Sequence, residues 1–176
     1  MKDLLKSLVD EADKWVGVRE KGFNKGPEVE AFQKAVDGKA SGEAWCMAFV
    51  QFCIEEIEKR FGVKSEVFKS EHCMTVWNKS PKHLRLEYPE EGAIVIWQHY
   101  TKFGKSTGSG HTGIIRNVVG KDFKTFETIE GNTGPGFNPG EIVREGDGVY
   151  NRIRRSTRVG TMRVMGYLRP FPIDAE

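Results

Sequence analysis

The sequence predicts an α+β fold, and three observations predict it. Apolar residues recur at helical spacing through roughly the first 80 residues. After Pro81 the texture changes to short runs rich in β-branched residues. The two textures follow one another and do not alternate, which points to segregated helices and an antiparallel sheet, not a doubly wound one. With 176 residues, 38% of them hydrophobic and 30% charged, the chain is long enough for one domain, residues 1–176, with a real core.

Leu4, Leu5, Leu8, Val9, Ala12, Trp15 and Val16 share one face of a helix over Asp3–Val16 that ends near Gly17. Glu20–Pro27 reads as a loop, and Pro27 suits the first turn of a second helix to about Val36. Asp37–Gly42 leads into a third helix that holds Cys46 in its first turn, runs to about Arg60 and stops before Gly62. A short fourth helix fits Glu71–Asn78. Gly92–Trp97 is a near-continuous apolar run of the kind a buried strand makes. Tyr100–Gly110 reads as loop, His111–Val119 and Phe123–Asn132 as strands, and Thr133–Gly148, with its glycines and prolines, as loop again. Val149–Thr157 and Met162–Arg169 close a sheet of sequential antiparallel strands.

The chain is organised around Cys46. A cysteine in the first turn of a helix meets unpaired backbone N–H groups and the positive end of the helix dipole. Both favour the thiolate, which is the nucleophilic form. Phe49, Val50, Cys53 and Ile57 follow in phase with Cys46, so its side chain faces whatever packs on the helix. A small buried thiol with no chemistry fits that stretch equally well. The choice depends on a histidine and a group to orient it. His111 opens a strand between Gly110 and Gly113, where the backbone can approach another element closely. Glu130 and Asn132 stand two apart at the end of the next strand and share a face. Either could accept from one ring nitrogen and leave the other for the thiol proton.

The blocks Trp-Cys-x-Ala-Phe-Val at 45–50, Gly-His-x-Gly-Ile at 110–114 and Ile-Glu-Gly-Asn-Thr at 129–133 resemble the CHAP domains. These are cysteine amidohydrolases and peptidases of the NlpC/P60 and papain-like superfamily that cut peptidoglycan. The likeness extends over about 20–170, through Gly26-Pro27-Glu28-Val29, Gly146–Tyr150 and Gly166–Arg169. The resemblance implies a nucleophile helix packed on an antiparallel sheet, Cys46 as nucleophile and His111 as general base. It implies Glu130 as the acid that orients the histidine and Asn132 as the amide that completes the site. Which of the two bonds His111 stays open at this level. It also implies bacterial peptidoglycan as the substrate, in the manner of an endolysin. A catalytically inactive wall- or partner-binding module, or a cysteine amidase acting on a non-wall substrate, are the alternatives.

Some members of the family bind calcium through acidic residues ahead of the nucleophile. Here Gly38–Ala44 offers only Glu43, with Asp37 just outside, too few for a cation that takes six to eight oxygens, so neither a metal nor a cofactor is expected. A net charge of +2 gives no global argument for nucleic acid. No run is long and apolar enough to span a membrane, and a monomer is expected. Charges interrupt Met1–Lys6, which is unlike a secretory signal. Three cysteines at irregular spacing do not make a disulfide framework. The expectation is synthesis in a reducing cytoplasm and delivery to the wall by another protein. Cys53 and Cys73 read as structural. Trp45, Trp97, Tyr100 and Phe137 could line a glycan cleft, although Trp45 and Trp97 fit a core equally well. Arg144, Arg152, Arg154, Arg155, Arg158, Arg163 and Arg169 make the last third basic, with Arg152 and Arg154 on one strand face. That face reads as attracting an anionic wall or as simply solvated.

Overall fold

A computed structural model describes residues 3–136, 146–157 and 160–172. Phe137, Arg144 and Arg158 lie outside the described residues, as does the centre of the expected Thr133–Gly148 loop. Four helices precede the main strands: α1 (Leu4–Asp13), α2 (Pro27–Asp37), α3 (Cys46–Phe61) and α4 (Cys73–Lys79). The strands are β1 (Arg85–Leu86), β2 (Ile94–Tyr100), β3 (Ser106–Val119), β4 (Thr125–Thr133), β5 (Gly148–Arg155) and β6 (Met162–Leu168). Asp3 caps α1 by accepting from the Leu5 and Lys6 amides at 3.1 Å. Gly62 ends α3 in the left-handed conformation, at φ 68°. The Cys46 end of α3 has no side-chain cap, so its first amides stay directed at whatever occupies the helix tip.

The strands form one antiparallel sheet in the order β1-β6-β2-β3-β4-β5. The fold is α+β, as the sequence predicts, with two departures. First, the strands are not sequential throughout: β6 leaves β5 and returns across the sheet to pair with β2 and β1. The physical reason lies in β2. Its Ile94 and Ile96 belong to the core shared with the helices, and its Val95 and Trp97 to a second core on the other face. A strand buried on both faces cannot leave one edge unpaired without stranding its backbone groups.

Second, the stretch expected as loop from Tyr100 to Gly110 is mostly strand. A tight turn over Thr101–Lys105 joins β2 to β3, with Thr101 N–H donating to Lys105 O at 2.7 Å. Tyr100 then pairs with Ser106, and Gln98 with Gly110. Ser106–Ser109 are exposed, so this strand end carries no hydrophobic alternation to betray it.

Helix α3 is the centre of the main core. α1 and α2 pack on its outer side, and β3 and β4 on its inner side. Phe32, Phe49, Phe52 and Trp15 meet edge to face with ring centroids 5.0–5.3 Å apart. Trp45 is fully buried among them and donates its Nε1–H to Glu20 Oε1 at 2.7 Å. This bond and the aromatic cluster fix where α3 begins, and with it the position of Cys46.

Candidate active site

Cys46 is the first residue of α3 and lines a cleft of about 320 Å3 together with His111, Asn132, Arg154 and Tyr100. His111 comes from β3, where it lies opposite Trp97 of β2. Its ring stacks on the Trp97 indole at 5.7 Å, with 22° between the planes. One face of the imidazole is thus held by an aromatic surface, while its edges meet polar groups. Nε2 lies 2.7 Å from Glu130 Oε2. Gly113 makes this approach possible, because a Cβ there would stand 2.6 Å from Glu130 Cγ.

Glu130 is wholly buried, and an isolated carboxylate there would be strongly disfavoured. It is compensated on every side. Arg154 Nε donates to Oε1 at 2.7 Å and Nη2 to Oε2 at 2.5 Å, the two-point geometry that suits a guanidinium to a carboxylate. Thr128 Oγ1 donates to Oε1 at 2.5 Å. Burial pushes the Glu130 carboxyl up, but the Arg154 charge and hydrogen bonds, with those of His111, hold it well below the usual carboxylate range. The guanidinium also lies 5.4 Å from the centre of the Trp97 ring, so one indole supports both cationic partners of the acid.

The same logic passes to His111. Burial pushes its pKa down, but the Glu130 charge and the hydrogen bonds to Cys46 and Glu130 outweigh burial and raise it to about 9. The Cys46 thiol is lowered well below its ordinary value. The Cys73 thiol beside it acts most strongly, burial opposes, and His111 and the Met47 N–H of the helix tip add to the lowering. A thiolate facing an imidazolium is the state this environment favours. Such a pair holds a nucleophile and an acid ready in one cleft.

The sequence leaves open whether Glu130 or Asn132 meets the histidine; in the structure Glu130 does. Asn132 has φ 52°, and the β4–β5 register shifts between Glu130 and Thr133. The two-residue rule that gives Glu130 and Asn132 a common face fails at this irregularity. With its amide oriented as its neighbours require, Asn132 accepts from Trp45 N–H at 3.2 Å and donates to Gly146 O at 2.9 Å. It therefore ties the end of β4 to the backbone entering α3.

Trp45 and Trp97 are 0% and 2% exposed, so neither can stack on a ligand. Trp45 anchors the helix and Trp97 the histidine. Tyr100 does line the cleft, with the Arg163 guanidinium 4.0 Å from its ring centre. Arg152 and Arg154 are neither a wall-facing patch nor a solvated face. They are 1% and 3% exposed, and Arg152 donates to Gly134 O at 2.5 Å. Arg154 is thus a site residue that sequence reasoning missed. The available signal was that a buried carboxylate on β4 needs a cation on a neighbouring strand. Cys73, read from the sequence as structural, lies with its Sγ 3.8 Å from that of Cys46. Among the described residues no set of three or more His, Cys, Asp or Glu side chains gathers as metal ligands. No described helix is long and apolar enough to cross a membrane.

Comparison with curated proteins and with solved structures finds no match. Comparison with protein-family models does: residues 38–132 match the CHAP domain. That span runs from the approach to α3 to the end of β4 and covers more than half the chain, with Cys46, His111, Glu130 and Asn132 inside it. The chain therefore belongs to the CHAP family, whose members are typically cysteine- and histidine-dependent amidohydrolases associated with peptidoglycan.

Proposed function

We propose that this protein hydrolyses an amide bond of bacterial peptidoglycan, either the muramoyl–L-alanine bond or a peptide bond of the stem or cross-bridge, by a thiol mechanism. The observation that carries the reading is the buried relay Arg154–Glu130–His111 beside a thiol whose pKa is depressed. A module that only binds has no use for a carboxylate buried at this cost and aimed at an imidazole.

In this reading Glu130 occupies Nε2 of His111, which leaves Nδ1 for Cys46. The Cys46 thiolate attacks the amide carbon and forms a tetrahedral intermediate. The Cys46 backbone N–H, at a position with no intrahelical partner, faces the developing oxyanion. His111 gives its proton to the departing nitrogen, leaving a thioester on Cys46. The neutral imidazole then takes a proton from water, which attacks the thioester and releases the acid. Asn132 positions the strand end and the helix entry. Tyr100, on the cleft wall, contacts the substrate. In the manner of an endolysin, the protein reaches the wall through another protein's action.

The test is incubation of the wild-type protein and Cys46→Ala with purified cell walls, following turbidity and newly freed amino groups. The wild type clears the walls and frees amines, and Cys46→Ala does neither. Clearing by both proteins would sink the thiol mechanism. Reducing sugar ends in place of amines would mean that a glycosidic bond is cut.

A further inference from the structure

Cys73 takes no bond-making step in the reaction above beyond helping to hold the Cys46 pKa down, yet it stands at its centre. It opens α4 as Cys46 opens α3. The two sulfurs are 3.8 Å apart, both are buried, and both thiols are free. The approach is built into the sheet. A Cβ at position 110 would fall 2.3 Å from Trp97 O and 3.1 Å from Cys73 Cβ. Glycine beside His111 is what lets the first turn of α4 press onto β3. A disulfide needs about 2.05 Å between sulfurs, so about 1.8 Å remains to be closed.

We propose that Cys46 and Cys73 form a reversible disulfide under peroxide, which switches the protein off and protects its nucleophile from irreversible oxidation. The proposal takes Cys46 to be a thiolate, as the reading of the function does, but it does not depend on which bond is cut. The thiolate is the form that peroxides oxidise, and a sensor cysteine commonly has a resolving cysteine within reach. In the first step the Cys46 sulfur attacks one oxygen of hydrogen peroxide. An S–O bond forms and the O–O bond breaks. The departing hydroxide takes the His111 proton and leaves as water, so Cys46 becomes a sulfenic acid.

In the second step Cys73 gives its proton to the neutral imidazole and attacks the Cys46 sulfur. The S–S bond forms, the S–O bond breaks, and hydroxide leaves as water with the proton from His111. Two thiols have lost two electrons, and one peroxide has become two waters. Cys73 is held protonated, its pKa raised well above normal by its hydrogen bond to Cys46, by burial and by the Cys46 charge. Loss of the Cys46 charge on forming the sulfenic acid relieves part of that restraint at the moment Cys73 must act. A low-molecular-weight dithiol reverses the bond by two exchanges.

The experiment treats the full folded chain with one equivalent of hydrogen peroxide, then unfolds it in denaturant with iodoacetamide to block free thiols, and maps the peptides by mass spectrometry. The expected product is a linked Cys46–Cys73 peptide pair, about 2 Da lighter than the sum of the two reduced peptides, with Cys53 alkylated. Wall clearing falls at least about tenfold and returns with dithiothreitol. With about three equivalents, Cys46 of Cys73→Ser passes through the sulfenic to the sulfinic acid and dithiothreitol restores nothing, whereas the wild type stops at the disulfide and recovers. A wild-type map with Cys46 oxidised and Cys73 free overturns the proposal. So does Cys73→Ser recovering as fully as the wild type. If Cys73→Ser does not fold, the wild-type map decides alone. Because that map does not read activity, walls that are never cleared would refute the proposed function and leave the disulfide to stand or fall separately.

Discussion

Glu130→Gln removes one charge from the relay and keeps its shape. Burial pulls the His111 pKa down, and the Glu130 charge is the largest of the influences that raise it from 6.5 to about 9. At about 1.4 kcal/mol per pH unit, that rise favours the imidazolium by roughly 3 kcal/mol. Glu130 supplies the larger share, so its loss should cost roughly 2–3 kcal/mol, on the order of 10²-fold in the population of the thiolate–imidazolium pair. Two readouts follow. The alkaline limb of the pH–rate profile for amine release reports loss of the His111 proton, and it should move from near pH 9 towards neutrality. The rate of Cys46 alkylation by iodoacetamide at neutral pH should fall with it.

Stability carries the same signature. His111 binds its proton more tightly when folded. Its contribution is therefore whole below pH 6.5 and is lost as the pH rises through about 9. Glu130 is the reverse: its contribution is present above its ordinary value of 4.5 and is lost as the pH falls through its depressed folded value. In Glu130→Gln the alkaline fall in melting temperature should flatten. An alkaline limb within about half a pH unit of the wild type, with a rate within about threefold, would refute the claim that Glu130 sets the state of His111.

Two further substitutions probe the ends of the site. Arg154→Ala leaves the fully buried Glu130 without its two-point partner and should cost about 3–5 kcal/mol in urea unfolding; a loss under about 1 kcal/mol would mean that His111 alone suffices to hold the charge. Tyr100→Ala, on the cleft wall and away from the relay, should raise KM for wall fragments several-fold with kcat held within about twofold. A fall in kcat with KM unchanged would place Tyr100 in the chemistry instead.

The sequence carries the helices to within about three residues at their ends, α1 stopping at Asp13 and not Val16, because each has an apolar face, and it marks some ends outright: Gly62 after α3, Pro27 at the start of α2. It carries the first part of β2 as well, since Ile94–Trp97 are buried on both faces and all apolar. It conceals three things, each for a definite reason. The start of β3 is exposed on both faces and leaves no pattern. The return of β6 to β2 is decided by an unpaired edge, which is a property of the assembled sheet. The bonding of Asn132 to the Trp45 and Gly146 backbones, with Glu130 left to meet His111, goes with a positive φ and a register shift that spacing cannot reveal. Cys46 and His111 are legible because helix start and glycine-flanked strand are local features. Arg154 is not, since its value depends on the β4–β5 register.

That last point bears on where the functional unit ends. The family match stops at residue 132, just past Glu130. Yet a buried carboxylate whose one remaining partner is a titratable imidazole is driven towards the neutral acid, which cannot hold an imidazolium, so Glu130 needs a permanent cation as well. The cation is Arg154, on β5, and β5 is in turn bonded to the N-terminal segment. The Val149 and Val18 backbones pair at 2.9 Å, the Gly17 N–H donates to Val149 O at 2.9 Å, and Arg19 forms an ion pair with Asp147. The charge state of His111 therefore depends on residues on both sides of the matched span. A fragment cut to residues 38–132 would keep the nucleophile, the base and the acid, and would lack the group that keeps the acid ionised.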